Sequence, residues 1–164
     1  MARLELKVWR HVPSGAHPLN FGWLLKATGR WNRRGIYGCL YASLTQEGAV
    51  AELEKQRAHS SPASASVSFA ARDVVSVRVS VDPVLNLTDP AVIATLGVNV
   101  ADFLGDDDTS LERCRTVSDF ARAQGYRALI VPSAALAGAK NLVVFLDGPA
   151  HELELEVGPD RMPV

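Results

Sequence analysis

Cysteine is scarce: only Cys39 and Cys114 occur in 164 residues. Two thiols make neither a disulfide framework nor a four-ligand zinc site, and both lie in apolar patterns that read as core. Long apolar runs are missing as well. None approaches the ~18 residues of a spanning helix, and the opening MARLELKVWRHV scatters charge among its apolar residues, unlike a secretory leader. A cytoplasmic, reducing location is expected. Charge of one sign is not in excess: 17 Lys and Arg stand against 18 Asp and Glu, for a net charge of -1. Membrane-surface and nucleic-acid binders concentrate positive charge, so neither role is expected and any anion site must be local. His11, His17, His59 and His151 lack metal-ligand spacing, so no metal is expected. Asp106-Asp107-Asp108 lacks the remaining pattern of a calcium loop and reads as a solvated turn.

What is present suits a globular protein. Hydrophobic residues make up 48% and charged residues 21%, ordinary values, and the length allows a core without metal or disulfide support. With no internal repeat or composition break, residues 1–164 read as one α+β domain. Alternation predicts strands over Leu4–Arg10, Ile36–Ala42 and Asp73–Val81, the last half-buried. The Ile36–Ala42 period places Tyr37, Cys39 and Tyr41 on one face. ALIVP (Ala128–Pro132) and LVVFL (Leu142–Leu146) suit central strands, and HELELEV an edge strand with Glu152, Glu154 and Glu156 on its wet side. Thr45 caps a helix running to about His59. Asp89-Pro90 starts a short one that Gly97 closes, and Thr109 with Glu112 forms a capping box for another that ends at Gly125. His17–Gly29 reads as a loop with some helical turn, and Ser60–Ser66 as a flexible connection.

The strongest local positive charge is GRWNRRG, Gly29 to Gly35. Arginine offers a planar fork of donors that fits phosphate oxygens, and glycine lets backbone approach closely. A solvated loop with one stacked Trp fits the same residues equally well. Glu52 and Glu54, two apart on a helix, point to nearly opposite sides and cannot share a substrate. Lys55 and Arg57 follow each by three positions, as ordinary salt-bridge partners would, and nothing local selects one Glu. Ser133 ends a strand without a G-x-S-x-G elbow, and Asn141 next to Lys140 is equally ambiguous.

Taken in order, VWR near the start, GRWN with a nearby Gly, LYAS, AVAE, and VPSA followed by Asn141 resemble the RES domain, a family named for its Arg, Glu and Ser. Pro149 and His151 echo a C-terminal family element. The resemblance runs from Trp9 to about His151. It implies a compact fold with mixed central sheets and flanking helices, similar to ADP-ribosyltransferases, and cleavage of NAD by water or phosphate. It also implies the biology of a toxin neutralised by an Xre-type antitoxin protein; a homodimer stays open. Carried over, the expected catalytic residues are Glu52, Arg30 and Ser133, and the NAD-binding residues Arg10, Arg30, Tyr41, Ser133 and Asn141. NAD is then a substrate, with inorganic phosphate as co-substrate in the phosphorolytic case, and no separate cofactor is implied. The chain departs from the family at Arg33, Arg34 and the stretch FLDGP, which puts the pocket rim in question.

In that reading Glu52 stabilises positive charge developing on the ribose, Arg10 and Arg30 hold pyrophosphate or attacking phosphate, and Tyr41 packs beside nicotinamide or ribose. The alternatives are ADP-ribosyl transfer to a protein, a nucleic-acid module that stacks bases on Trp31, and a non-catalytic partner-binding domain.

Overall fold

Strand β1, Leu4–Pro13, pairs along its whole length with β3, Arg72–Val81, from Leu4 opposite Val81 to Pro13 opposite Arg72. Its other edge meets β2, Cys39–Ser43, at a single paired position, Trp9 opposite Ser43. That contrast shapes the molecule. In this computed structural model, which describes residues 3–21, 24, 27, 29–59 and 71–164, two wings of one sheet share a narrow junction. One wing is β1, β3 and the edge strand β7, Leu153–Pro163. The other is β2, β6 (Lys140–Phe145), β5 (Ala128–Pro132) and β4 (Val84–Asn86). All pairs are antiparallel except β4 with β5, and the order is β4-β5-β6-β2-β1-β3-β7. The expected mixed central β-structure forms as one seven-stranded sheet. The expected Ser60–Ser66 connection and parts of the His17–Gly29 loop lie outside the described residues.

Three helices complete the described fold: α1, Gln46–His59; α2, Pro90–Leu96; and α3, Asp108–Ala123. The central strands β2, β5 and β6 are apolar at successive positions because both of their faces are covered. Cys39, Leu129, Val131, Val143 and Phe145 point to one side, joining Trp31, Tyr37, Phe103 and the α3 residues Cys114 and Ala121. Leu40, Ala42, Ala128, Ile130, Leu142 and Val144 point to the other, against Val8, Val77, Val79 and Val81. Tyr37, Cys39 and Tyr41 share the first side, as their spacing predicts. Burying each large apolar side chain contributes about 1.5–3 kcal/mol.

The helix starts follow sequence logic with one exception. Thr45 Oγ1 accepts the Gly48 N–H at 3.0 Å, and Asp89 accepts that of Ala91 at 2.9 Å. Gly97 closes α2 at φ 68°, a conformation glycine adopts without strain. Helix α3, however, is capped by Asp107, whose Oδ2 accepts the Ser110 N–H at 3.2 Å, so the Thr109–Glu112 capping box does not form. Asp is as good a cap as Thr, and Glu112 is drawn away by Arg33.

Two strand expectations are corrected. The predicted strand Ile36–Ala42 begins only at Cys39, because Arg34–Ile36 turns and leaves Ile36 66% exposed. Strand β3 is buried nearly throughout, lying between β1 and β7. Its buried Ser76 hydroxyl donates to Asp160 Oδ2 and accepts the Asp160 N–H, both at 3.0 Å. Among the described residues no helix is long and apolar enough to cross a membrane.

Candidate active site

Where β1 and β2 part, a cleft of about 900 Å³ opens, within the usual range for small-molecule sites. Arg10 of β1, Arg30 of the following loop, Tyr41 of β2, Glu52 of α1 and Asn141 of β6 all line it. Ser133 lies immediately behind the wall, 5% exposed, and reaches the site through its hydroxyl. The fold thus gathers all six residues named from the sequence around one space.

Glu52 is held in an informative way. Its Oε1 accepts from Asn141 Nδ2 at 2.8 Å and from the Ser133 hydroxyl at 3.2 Å. Among the described residues no donor reaches Oε2. The two donors are oriented by their own partners. Ser43 stands opposite Asn141 in the β2–β6 register and donates its hydroxyl to Asn141 Oδ1 at 3.0 Å, which turns the amide N–H₂ toward Glu52. Ser133 Oγ accepts the N–H groups of Ala135 and Leu136, each at 3.1 Å, and so presents its own hydrogen to Glu52. The carboxylate is fixed by neutral groups. The salt bridge expected between Glu52 and Lys55 is not made; Lys55 Nζ instead reaches Asp106 Oδ1 at 3.0 Å and the Ala134 carbonyl at 3.3 Å. Glu54 points outward and is exposed.

The GRWN loop is built from the inside. Trp31 is 2% exposed and packs on Phe103 with ring centroids 5.3 Å apart, so it offers no platform for stacking nucleic-acid bases. Asn32, also buried, accepts from the Tyr41 hydroxyl at 2.6 Å, and that hydroxyl accepts the Trp31 N–H at 3.0 Å. Burial holds the Tyr41 phenol well above its ordinary pKa, so it stays protonated. Any side chain at Gly29 would collide with the Tyr41 ring and hydroxyl and with Asn32 Oδ1, which is why glycine opens this motif.

Arg30 is already engaged. Its Nη1 donates to the carbonyls of Phe103 and Gly105, and its Nη2 to Asp106 Oδ1. The aspartate run is exposed and leads into α3, as expected, but Asp106 also bridges Lys55 and Arg30, which hold its carboxyl below the usual range. Arg33 turns away from the cleft and grips Glu112 at 2.8 and 3.0 Å and Asp119 at 2.9 Å, tying the loop to α3. Arg34 is exposed. FLDGP is likewise remote, with Asp147 paired to Arg122 and the Pro149 carbonyl bound by Arg127 at 2.6 Å. None of these departures lines the cleft.

At the other wall Arg10 is buried, donating to the Pro18 carbonyl at 2.8 Å with its guanidinium over the Phe21 ring. Burial, and then neighbouring Arg72, lower its pKa to about 10, so it stays charged at neutral pH. His11 Nδ1 faces the Arg72 guanidinium at 3.0 Å. Burial and the charges of Arg72, Arg10 and Arg57 depress its pKa to about 3 and keep it neutral. Asn32, Ser43, Lys55, Arg72 and Asp106 are not among the site residues expected from sequence. For Asn32 and Ser43 the signal was there, since each closes a quoted motif, GRWN and LYAS.

A family model described as RES domain matches residues 7–162. The chain is 35% identical over 139 residues to the Mycobacterium tuberculosis (strain ATCC 25618 / H37Rv) protein named "Probable NAD(+) phosphorylase Rv3189", a match covering 85% of this chain and 61% of that protein. The chain therefore spans less than two thirds of that relative's length. A chain in the crystal structure of the M. tuberculosis MbcT–MbcA toxin–antitoxin complex superposes with a TM-score of 0.75 at 21% identity, covering 99% of this chain and 86% of that one, a likeness of fold. With the match extending over nearly all of its length, the chain belongs to the RES domain family.

Proposed function

We propose that this chain breaks the nicotinamide–ribose bond of NAD by phosphorolysis or hydrolysis, as the NAD-degrading toxin of a bacterial toxin–antitoxin pair. One observation carries the reading: Glu52 lines the cleft with one carboxylate oxygen anchored by neutral donors and, among the described residues, no donor on the other. As the bond lengthens, positive charge develops on the ribose. A carboxylate whose partners are a hydroxyl and an amide keeps its full charge for that moment. It stabilises the transition state more than bound NAD. Nicotinamide leaves as a neutral molecule, so the step needs no strong general acid.

Arg10, Arg30, Lys55 and Arg72 supply the cations for a pyrophosphate or an attacking phosphate. Tyr41 supplies a fixed ring beside the ribose and nicotinamide. Ser133 and Asn141 act through Glu52 by holding it. The name of the mycobacterial relative, an NAD(+) phosphorylase, favours phosphate as acceptor. A phosphate oxygen would bond to the ribose carbon that nicotinamide leaves, giving nicotinamide and a phosphorylated ADP-ribose. NAD is substrate here, and an Xre-type antitoxin, meeting the toxin in the cytoplasm, is the partner. The fold's likeness to a chain of a solved toxin–antitoxin complex supports that pairing.

Proton NMR of NAD with the purified protein, with and without inorganic phosphate, tests the proposal. Phosphate-dependent release of nicotinamide is expected. Equal release without phosphate assigns hydrolysis, and intact NAD in both buffers overturns the reading.

A further inference from the structure

The cations best placed to receive a phosphate already hold an anion. Asp106 Oδ1 takes both the Arg30 Nη2 donor and the Lys55 ammonium, the latter at 3.0 Å, and all three residues line the cleft. The remaining Arg30 contacts go to carbonyls, Phe103 at 3.2 Å and Gly105. Its Nη1 is thus committed to backbone, and the donor that faces a carboxylate is the one on Nη2. Lys55 also donates to the Ala134 carbonyl at 3.3 Å, next to the Ser133 that holds Glu52. A phosphate group that bridges Arg30 Nη2 and Lys55 as the Asp106 oxygen does takes the place of that oxygen.

From this juxtaposition we propose that Asp106 is a tethered competitor: its carboxylate occupies the phosphate subsite formed by Arg30 and Lys55, and it swings out when a substrate phosphate binds. Asp106 suits that role. Its side chain is 51% exposed, so it can rotate into solvent at small cost. It lies just outside α3, whose cap is the neighbouring Asp107, so releasing Asp106 leaves the helix start intact. The carboxylate keeps two cations in position while the cleft is empty and raises the concentration of phosphate needed to fill it. Asp106 thereby sets the affinity for the phosphate-bearing substrate. The inference deepens the proposed function and rests on that reading for the identity of the substrate, but not for the presence of the subsite.

The opposing interpretation is a strut: Asp106 merely holds Arg30 in its binding position, so its loss would weaken anion binding. The two differ in sign. Calorimetric titration with inorganic pyrophosphate, alongside the KM for NAD, is done on the wild type, Asp106→Asn and Asp108→Asn. The last makes the same charge change outside the cleft. A competitor predicts that Asp106→Asn binds pyrophosphate about threefold to tenfold more tightly than wild type, a range set by a half-exposed ion pair. The KM for NAD falls in parallel, while Asp108→Asn stays near wild type. Adding Lys55→Met to Asp106→Asn removes the gain. Weaker or unchanged pyrophosphate binding in Asp106→Asn overturns the inference, as does equal tightening in Asp108→Asn, which would make net charge the cause. Tighter pyrophosphate binding with no NAD turnover in any variant upholds the subsite and instead sinks the NAD reading. Thermal unfolding of each variant confirms that it is folded.

Discussion

Two carboxylates stand in one cleft, and they are held in opposite ways. Glu52 is gripped by an amide and a hydroxyl, Asn141 and Ser133, while Asp106 is gripped by two cations, Arg30 and Lys55. Neutral donors orient a charge without cancelling it, whereas cations cancel it. The cleft therefore keeps one uncompensated carboxylate where positive charge is proposed to develop. It keeps a compensated one where negative phosphate is proposed to bind. The contrast arises from which elements meet: α1 lays Glu52 against β5 and β6, and the same helix, one turn on, lays Lys55 against the segment before α3.

The contrast breaks most sharply at Glu52. Glu52→Gln keeps the shape and removes the charge, and NAD turnover by NMR is expected to fall roughly 100- to 10,000-fold; turnover at the wild-type rate would refute the assignment. Removing a holder should cost less. Asn141→Ala leaves the carboxylate charged but loosely aimed, and kcat should drop roughly 10- to 100-fold. A drop no larger than twofold would show that Glu52 needs no such orientation.

Charge of the other sign sharpens the comparison from the opposite wall. Unfolded, His11 takes a proton near pH 6.5; folded among Arg72, Arg10 and Arg57 it does so only near pH 3. The unfolded chain binds the extra proton between these values. Stability from a neutral His11 is thus fully present above pH 6.5 and lost as pH falls toward 3. His11→Gln should reduce that acid-side loss by about 3 kcal/mol, read from urea unfolding at pH 7 and pH 4. Least affected should be the arginines turned away from the site. Arg33→Ala frees α3 from a half-exposed ion-pair fork and should lower the Tm by about 2–4 °C, measured by scanning calorimetry, with NAD turnover near wild type. A large loss of turnover would place Arg33 in the site after all.

Much of the framework could be read from local pattern. β1 was legible because alternation marks a strand with one covered face, and β5 and β6 because an unbroken apolar run marks a strand with two. The caps at Thr45 and Asp89 survive because a side-chain oxygen satisfies a nearby N–H whatever lies beyond. The misreadings share a different cause. Glu112 was assigned to a cap and Lys55 to Glu52, yet Arg33 and Asp106 took them, across 79 and 51 positions of sequence separation. The aspartate run is solvated as its composition suggests, yet nothing in it reveals that Arg30 and Lys55 will pack beside Asp106.

Residue pattern alone determined most of the strands, the starts of α1 and α2, the buried apolar sides and, through the GRWN, LYAS and AVAE motifs, the candidate residues themselves. It left Glu52 and Glu54 tied until those motifs were matched as a set. Only the tertiary structure decided the occupancy of each charge: which carboxylate keeps its field, which cations are already taken, and that Trp31 is core. Strand and cap formation depend on neighbours a few residues away. The electrostatic state of a cleft depends on the distant groups that the sheet junction brings within hydrogen-bonding distance.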